Sequence, residues 1–277
     1  MPSTHKVWFI TGTSKGFGRV WASAALERGD RVAATARNTD TLTDLVERHG
    51  DAILPIELDV TDKPGVDAAV DRAEAHFGQL DVVINNAGYG LFGTIEEVTE
   101  EQARRQIETN LFGALWVTKA ALPHLREQGS GHIIQVSSIG GVHAFPGIGM
   151  YHASKWGLEA FSQSLAGEVG DFGIKVTIIE PGGYATDWGG RSAVQAEQLS
   201  VYDGVRAARQ ERFRTVSSPG DPEATGAAIL EIVDAEQPPL RVFFGSAPIT
   251  MIRPEYEQRI ATWEKWNDLS QRAQGGR

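Results

Sequence analysis

The sequence contains no cysteine among its 277 residues. That absence excludes disulfide bonds and thiolate metal ligands, and it is compatible with a reducing compartment. Basic residues are also outnumbered by acidic ones. The chain has 26 lysines and arginines and 36 aspartates and glutamates, which gives a formal net charge of −10. An acidic protein is a poor match for a phosphate backbone, so we expect no nucleic-acid partner.

Long hydrophobic runs are missing too. No apolar stretch approaches the roughly 20 residues that span a bilayer, so we expect no membrane partner. The N-terminal segment MPSTHKVWFITGTS lacks the apolar core and basic flank of a signal peptide, which predicts a cytoplasmic location. The seven histidines are scattered, with no H-E-x-x-H segment, so we expect no catalytic metal. The G-x-S-x-G elbow of many hydrolases is absent as well.

Short apolar runs recur along the chain, and each is followed by a helical pattern. The predicted strands are 7–10, 32–36, 53–58, 81–85, 132–137, 175–180 and 241–245, and the main predicted helices are 17–29, 63–77, 100–127, 151–170 and 221–235. Runs that are apolar on both faces are typical of parallel strands covered by helices. The alternation therefore predicts an α/β fold with a doubly wound, mostly seven-stranded parallel sheet. No linker, repeat or charge block marks a domain boundary.

The segment TGTSKGFG, residues 11–18, joins the first predicted strand to the first predicted helix. Glycines at such a junction let backbone N–H groups approach a pyrophosphate at the N-terminus of the helix. Gly12 suits a tight turn, Gly16 a close approach of the backbone, and Gly18 close packing of the helix. An ordinary strand-to-helix turn would also explain this loop taken alone.

Four further segments follow predicted strands, at the edge where open α/β sheets place ligands. They are NNAG (85–88), Ser138, YHASK (151–155) and PGGYAT (181–186). With TGxxxGxG, this set resembles the short-chain dehydrogenase/reductase family in its single-domain subtype, in order and spacing over roughly residues 5–246. The resemblance implies one Rossmann-type domain over residues 1–277, with a substrate loop at 187–217. Residues 253–277 form an extension, predicted to be helical, whose role the family pattern does not fix.

Tyr151 and Lys155 are four residues apart on a predicted helix, so their side chains share a face. A nearby ammonium favours the phenolate form of a tyrosine, whose ordinary pKa is near ~10, and so tunes it for acid–base work. A core tyrosine beside a surface lysine is the alternative. The resemblance implies that Lys155 also binds the nicotinamide ribose, that Ser138 donates a hydrogen bond to the substrate carbonyl, and that Asn110 completes a catalytic tetrad by holding a water.

Two of these assignments have an alternative. Ser137 stands beside Ser138, and only one of two adjacent strand residues can face the site; the family spacing to the tyrosine favours Ser138. Asn110 lies within a predicted helix, where it could equally be a tolerated polar residue.

The remaining cofactor contacts come from the resemblance. The implied cofactor-binding residues are Gly12, Ser14, Lys15, Gly16, Phe17, Gly18, Arg37, Asp59, Val60, Asn86, Ala87, Gly88, Tyr151, Lys155, Pro181, Gly182 and Thr186. Among them, Asp59 would accept a hydrogen bond from the adenine amino group, the NNAG segment would line the adenine ribose, and Thr186 would bind the carboxamide.

The end of the second predicted strand bears on the choice of cofactor. NAD-selective members of the family carry an acidic residue there, whereas this sequence has Ala36 followed by Arg37. A guanidinium is a planar, permanently charged fork that suits a phosphate. Lys15 stands before the second glycine, another position where NADP-preferring members are basic. These features predict NADP(H) in preference to NAD(H), although two solvated surface charges would look the same.

Aromatic and apolar residues surround the predicted catalytic segments. They are Tyr89, Phe92, His143, Phe145, Met150 and, in the predicted substrate loop, Trp188, Val194, Leu199, Tyr202 and Phe213. Such a lining suits a hydrophobic ketone, aldehyde or alcohol, although these side chains could instead anchor the loop. The sequence thus predicts an NADP(H)-dependent oxidoreductase.

Two other functions fit the sequence less well. A 3-oxoacyl-carrier-protein reductase would need basic surface near the site, for which Arg126 and Arg191 are too little. A non-catalytic NADP-binding sensor fits poorly with an intact tetrad. The resemblance implies a homodimer or homotetramer through helices 100–127 and 151–170.

Overall fold

A parallel sheet forms the centre of the protein. The computed structural model describes residues 5–190, 192–215 and 219–275, except for the side chains of residues 212–215. The strands are β1 (Val7–Ile10), β2 (Arg31–Ala36), β3 (Ile53–Glu57), β4 (Val82–Asn85), β5 (Leu91–Phe92), β6 (Gly131–Val136), β7 (Ile174–Pro181), β8 (Val194–Gln195) and β9 (Arg241–Phe244). Seven of them pair in parallel in the order β3-β2-β1-β4-β6-β7-β9, which confirms the predicted doubly wound sheet.

Helices cover both faces of this sheet. They are α1 (Gly16–Glu27), α2 (Thr43–His49), α3 (Lys63–Phe77), α4 (Glu100–Ile107), α5 (Gly113–Gln128), α6 (Gly149–Val169), α7 (Asp203–Thr215), α8 (Thr225–Asp234), α9 (Pro248–Lys265) and α10 (Asn267–Ala273). Because successive strand residues face opposite sides, Trp8 packs in the core shared with α1, α2 and α8, whereas Phe9 packs in the core shared with α3, α5 and α6.

The strand order reverses at β1, which lies between β2 and β4. In open α/β sheets such a switch point opens a crevice at the carboxyl ends of the strands, and ligands bind there. Thr11, directly after β1, joins the two sides of this crevice. Its backbone N–H donates to the Ile84 carbonyl (3.0 Å), and its hydroxyl accepts from the N–H groups of Asn86 and Ala87 (2.9 and 3.0 Å).

The fold departs from the sequence-based prediction in three places. The helix predicted over 100–127 is interrupted by a π-helical turn, Glu108–Phe112, between α4 and α5. Helix α2 and the small parallel sheet of β5 and β8 were not predicted. The helix of the extension begins at Pro248, before the predicted 253.

The C-terminal helices lie mostly outside the two cores. Trp263 and Trp266 are 65 % and 57 % exposed in the single chain. Within the described residues, no helix is both long enough and apolar enough to cross a membrane.

Candidate active site

Helix α6 brings the predicted acid–base pair to the crevice, because Tyr151 lies in its first turn and Lys155 one turn later. Both side chains are buried. The Lys155 Nζ donates to the Val136 carbonyl at the end of β6 (2.7 Å) and lies 5.9 Å from the centre of the Tyr151 ring. The strand thus fixes the lysine, and the lysine faces the tyrosine.

Burial sets the protonation states of this pair. It raises the pKa of Tyr151 to about 12, and a hydrogen bond with Ser138 opposes this rise. Burial lowers the pKa of Lys155 to about 8, and the charge of Glu159 opposes this fall. At neutral pH the phenol therefore keeps its proton and the lysine remains mostly charged, an arrangement suited to donating a proton to a developing oxyanion.

Of the two adjacent serines, Ser138 is the one that faces Tyr151. Hydrogen bonding from its hydroxyl opposes the rise in the pKa of Tyr151, and the hydroxyl accepts from the Gly140 N–H (3.0 Å). The Ser137 hydroxyl is buried on the other side, beneath Gly141, where a Cβ atom would come within 2.4 Å of it. The strand geometry thus places Ser138, rather than its rival, in the site.

Asn110 lies in the π-helical turn between α4 and α5. Its amide accepts from the Tyr89 N–H and donates to the Tyr89 carbonyl, both at 3.0 Å, and it also donates to the Ser154 hydroxyl (3.2 Å). A Cβ on Gly88 would lie 3.0 Å from the Asn110 Oδ1 and 3.7 Å from the Lys155 Nζ. The turn therefore holds Asn110 beside the lysine, as π-turns often do at functional sites; its predicted role in holding a water stays a prediction.

The glycine loop has the backbone conformation that its sequence suggests. Gly12 and Gly16 have φ angles of +70° and +60°, where a side chain would be strained. A Cβ on Gly18 would lie 2.4 Å from the Gly12 carbonyl oxygen and 2.5 Å from the Asn86 amide. Gly18 therefore lets α1 pack against the loop itself, and the Asn86 amide closes that loop by donating to the carbonyls of Thr11 and Gly12 (2.8 and 3.0 Å).

The start of α1 fits a pyrophosphate group. Its first turn has neither an acidic residue nor a side-chain cap at Lys15, whereas α4 is capped by Thr99. A Cβ on Gly16 would meet nothing within 4 Å, so the backbone there is open on one side. Uncapped N–H groups at an open helix N-terminus are suited to binding a phosphate.

The two basic residues implicated in cofactor choice differ in their surroundings. The Lys15 Nζ pairs with Asp187 Oδ2 (2.5 Å), so this lysine connects the glycine loop to the start of the predicted substrate loop. Arg37 is exposed at the end of β2, and no ion pair to it occurs within the described residues. Of the two, Arg37 is the cation free to meet a phosphate.

The other predicted cofactor residues also lie at the carboxyl ends of the strands. Asp59 uses one carboxylate oxygen to accept from the N–H and hydroxyl of Thr61 (3.0 and 2.8 Å). The remaining positions are Ser14 and Phe17 in the glycine loop, Val60 packed at Gly113, Ala87 bonded to Thr11, and Pro181, Gly182 and Thr186 after β7. Asn85 is different, because its amide points into the core and donates to the Thr118 hydroxyl (2.9 Å).

An aromatic row runs from the catalytic tyrosine towards the substrate loop. The Trp188 ring lies 4.9 Å from the Tyr151 ring and 5.5 Å from the Phe92 ring, measured between centroids. Pairing of β5 with β8 holds the loop beside this row, since Val194 N–H donates to the Gly90 carbonyl (2.9 Å). The loop is thus anchored next to the acid–base pair.

The expected wall residues His143 and Phe145 lie beside the start of α6, the helix that carries Tyr151. Phe145 packs on His152 at 4.5 Å between centroids, and His143 neighbours Phe145 at 5.9 Å, so this pair lies against the start of α6. Residues 191, 216 and 217 of the predicted loop and the side chain of Phe213 lie outside the described residues.

Sequence reasoning missed two residues that organise this side of the crevice. Glu97 is buried and accepts from the N–H groups of Thr94 and Leu199 (2.8 and 2.9 Å), which, with its pairing to Arg206, lowers the pKa of its carboxyl to about 2. Arg209 stacks on Phe92. The only available signal was the number of arginines in α7.

In the described part of the chain, no cluster of three or more potential ligands could hold a metal.

Known proteins resemble this chain over most of its length. The family model for short chain dehydrogenases matches residues 6–197. The oxidoreductase BOA17 of Botryotinia fuckeliana is 42 % identical over 268 residues, covering 96 % of this chain and 98 % of that protein. A short-chain dehydrogenase from Streptomyces avermitilis is 40 % identical with a TM-score of 0.90, covering 96 % of this chain and 98 % of that one. An alcohol dehydrogenase from Thermococcus sibiricus, complexed with 5-hydroxy-NADP, is 27 % identical with a TM-score of 0.71, covering 87 % and 96 %.

Proposed function

Because the chain belongs to the short-chain dehydrogenase/reductase family, we propose that it interconverts a hydrophobic ketone or aldehyde and its alcohol with NADP(H). The oxidoreductase class and the nicotinamide cofactor come with the family. The observation that carries the proposal is the grouping of Ser138, Tyr151 and Lys155 at the mouth of the crevice, beside the Trp188 ring.

The chain's own residues account for the proton chemistry. In the reducing direction Tyr151, protonated at neutral pH, donates its proton to the carbonyl oxygen as negative charge develops there. Ser138 donates a hydrogen bond to the same oxygen and orients it. Lys155, held by the Val136 carbonyl, stabilises the phenolate that remains. The nicotinamide, when bound, supplies or accepts the hydride.

The preference for NADP(H) rests on Arg37 and, secondarily, on Lys15. Arg37 follows a strand end with no carboxylate, and its guanidinium is exposed and unpaired among the described residues. A 2′-phosphate there would gain a charge-assisted hydrogen bond. Lys15 is already paired with Asp187 and would have to break or share that ion pair to bind a phosphate. Its contribution to the cofactor preference is therefore smaller.

Cofactor selectivity is therefore the test of this proposal. We expect the wild-type protein to favour NADPH over NADH in kcat/KM for ketone reduction, and Arg37→Ala to reduce that preference by about tenfold or more, the loss of one charged contact. Lys15→Ala should reduce it less. Arg48→Ala, which removes another exposed arginine, on α2, is the control. Equal use of both cofactors, unchanged in the Lys15→Ala, Arg37→Ala double variant, would refute the preference.

We further propose a cytoplasmic homodimer or homotetramer made of single-domain subunits. Half-buried aromatic side chains such as Trp116 and Phe112 on the α5 side, stacked 5.8 Å apart, suit such an interface. Sedimentation at micromolar concentration should give a multiple of 30.0 kDa, and a monomer would contradict the assembly.

A further inference from the structure

Arg209 reaches from α7 to the edge of the candidate active site. Its guanidinium carbon lies 5.1 Å from the centre of the Phe92 ring, and its Nη1 donates to the Gly147 carbonyl (3.2 Å). Gly147 stands two residues before the start of α6, the helix that carries Tyr151. The guanidinium of Arg209 therefore contacts the segment that leads directly into the helix of Tyr151.

Within the described residues, no carboxylate balances the charge of Arg209. Arg206, one turn earlier on α7, pairs with the carboxylates of Glu97 and Asp203. Arg209 has no carboxylate partner within the described residues, although it is half-buried. Burial and the neighbouring charge of Arg206 lower the pKa of Arg209. Among the described residues, hydrogen-bond partners account for one donor of this guanidinium, its bond to the Gly147 carbonyl. A partly buried cation with donors to spare is a site that an anion would stabilise.

The aromatic row connects this cation to the chemistry. A small cavity of about 20 Å³, room for roughly one water, lies beside Arg209 and is lined by Phe92, Glu97, Gly147 and Arg206 among others. Phe92 separates Arg209 from Trp188, which in turn contacts Tyr151. A substrate lying along these rings would place one end at the phenol and the other at the guanidinium.

The charge of α7 contrasts with that of the whole chain. The segment 203–215 contains four arginines and two acidic residues, in a protein whose net charge is −10. A local excess of positive charge attracts anionic ligands to its own part of the surface.

We propose that Arg209 is a specificity-determining residue that selects carbonyl substrates carrying an anionic group, a carboxylate or a phosphate, at the end remote from the carbonyl. The inference rests on the proposed reductase function and narrows its substrate class. The aromatic row would hold the body of the substrate, and the guanidinium fork would hold the anionic oxygens.

Binding of matched ketones tests this inference without turnover. Wild-type protein saturated with NADP⁺ cannot reduce a ketone, so calorimetric titration of that complex gives affinity alone. The probes are 4-acetylbenzoate, 4-acetylphenyl phosphate and the neutral 4-acetylbenzamide. We expect the affinity for at least one of the two anions to be about tenfold or more higher than that for the amide. This is the usual contribution of a hydrogen-bonded charge pair. The two anionic arms separate carboxylate from phosphate.

Variants then assign the effect to this residue. Arg209→Gln should abolish the preference for anions, Arg209→Lys should retain part of it because charge without the fork remains, and the exposed Arg72→Gln should leave it unchanged. Equal affinity for amide and anions, no binding of either anion, or a preference that survives in Arg209→Gln would each overturn the inference.

Turnover of the same ketones with NADPH is measured separately. Binding that depends on Arg209 without turnover would refute the proposed function alone, and turnover indifferent to charge would refute this inference alone.

Discussion

The two sides of the crevice are built by different means. On the nucleotide side, glycines and backbone hydrogen bonds fix the shape, as in the contacts of Gly18 with the Gly12 carbonyl and of Asn86 with Thr11. On the substrate side, side chains from distant parts of the chain fix it, as in the pair of Glu97 and Arg206, 109 residues apart. The nucleotide side therefore depends mainly on glycines and backbone groups, whereas the substrate side depends on pairs of charged side chains.

Among variants outside the acid–base pair, the largest effect is expected from adding one carbon to the nucleotide side. Gly18→Ala places a methyl group 2.4 Å from the Gly12 carbonyl oxygen, so the loop must move or α1 must tilt. We expect the affinity for NADPH, measured by calorimetric titration, to fall by about 10- to 100-fold. The melting temperature should fall as well.

Gly167→Ala is the matched control. Gly167 lies exposed within α6, and a Cβ there would meet nothing within 4 Å. In a helix, alanine is favoured over glycine by roughly 0.5–1 kcal/mol, so this variant should bind NADPH normally and melt slightly higher. If Gly18→Ala also bound NADPH normally, the loop would be less tightly built than we describe.

A smaller effect, confined to the substrate side, is expected from Glu97→Gln. The change removes the charge that pairs with Arg206 while keeping an acceptor for the loop N–H groups of Thr94 and Leu199. The substrate loop should loosen, raising KM for the ketone by about tenfold, within the range of a partly buried charge pair. Affinity for NADPH should stay the same.

Steady-state kinetics and NADPH titration together check this separation. Glu101→Gln, which removes an exposed carboxylate from α4, should change neither quantity. A Glu97→Gln variant with weakened NADPH binding and an unchanged ketone KM would break the distinction between the two sides.

The smallest effect concerns the pH dependence of thermal stability and involves Glu180, a buried residue of β7. Desolvation and the nearby carboxylate of Glu159 raise the pKa of Glu180 to about 8, while Arg241 opposes the rise. The folded protein therefore holds a proton that the unfolded chain releases near its ordinary pKa of 4.5, so this group's contribution should decline as the pH rises from about 4.5 to about 8.

Melting curves recorded across that pH range test this linkage. Glu180→Gln cannot ionise, so its melting temperature should depend less on pH and exceed that of the wild type at pH 8 by about 2–4 °C, which corresponds to roughly 1 kcal/mol. Glu168→Gln, an exposed carboxylate on α6, is the control. Parallel curves for Glu180→Gln and the wild type would show that Glu180 is already ionised.

The difference between the two sides also explains how far the sequence predicts the structure. Strand periodicity and the glycine loop predict the sheet and the nucleotide crevice because each depends on a few consecutive residues. The π-turn at Asn110 was not predicted, since α4 and α5 read as one helix and only the contacts with Tyr89 distinguish it. Arg209 and Glu97 belong to no local pattern, and their importance is apparent only when α7 packs beside β5.

Tyr151 is expected to supply the proton in carbonyl reduction, whereas the glycine loop and Arg37 provide most of the hold on the nucleotide. Tyr151→Phe removes only the hydroxyl that bonds with Ser138. Its rate of ketone reduction should be measured together with its NADPH affinity, against Tyr256→Phe on the exposed part of α9. We predict that kcat falls by about 100- to 10,000-fold, the usual worth of a positioned acid, with NADPH binding unchanged. Ketone reduction at the wild-type rate in Tyr151→Phe would contradict the account.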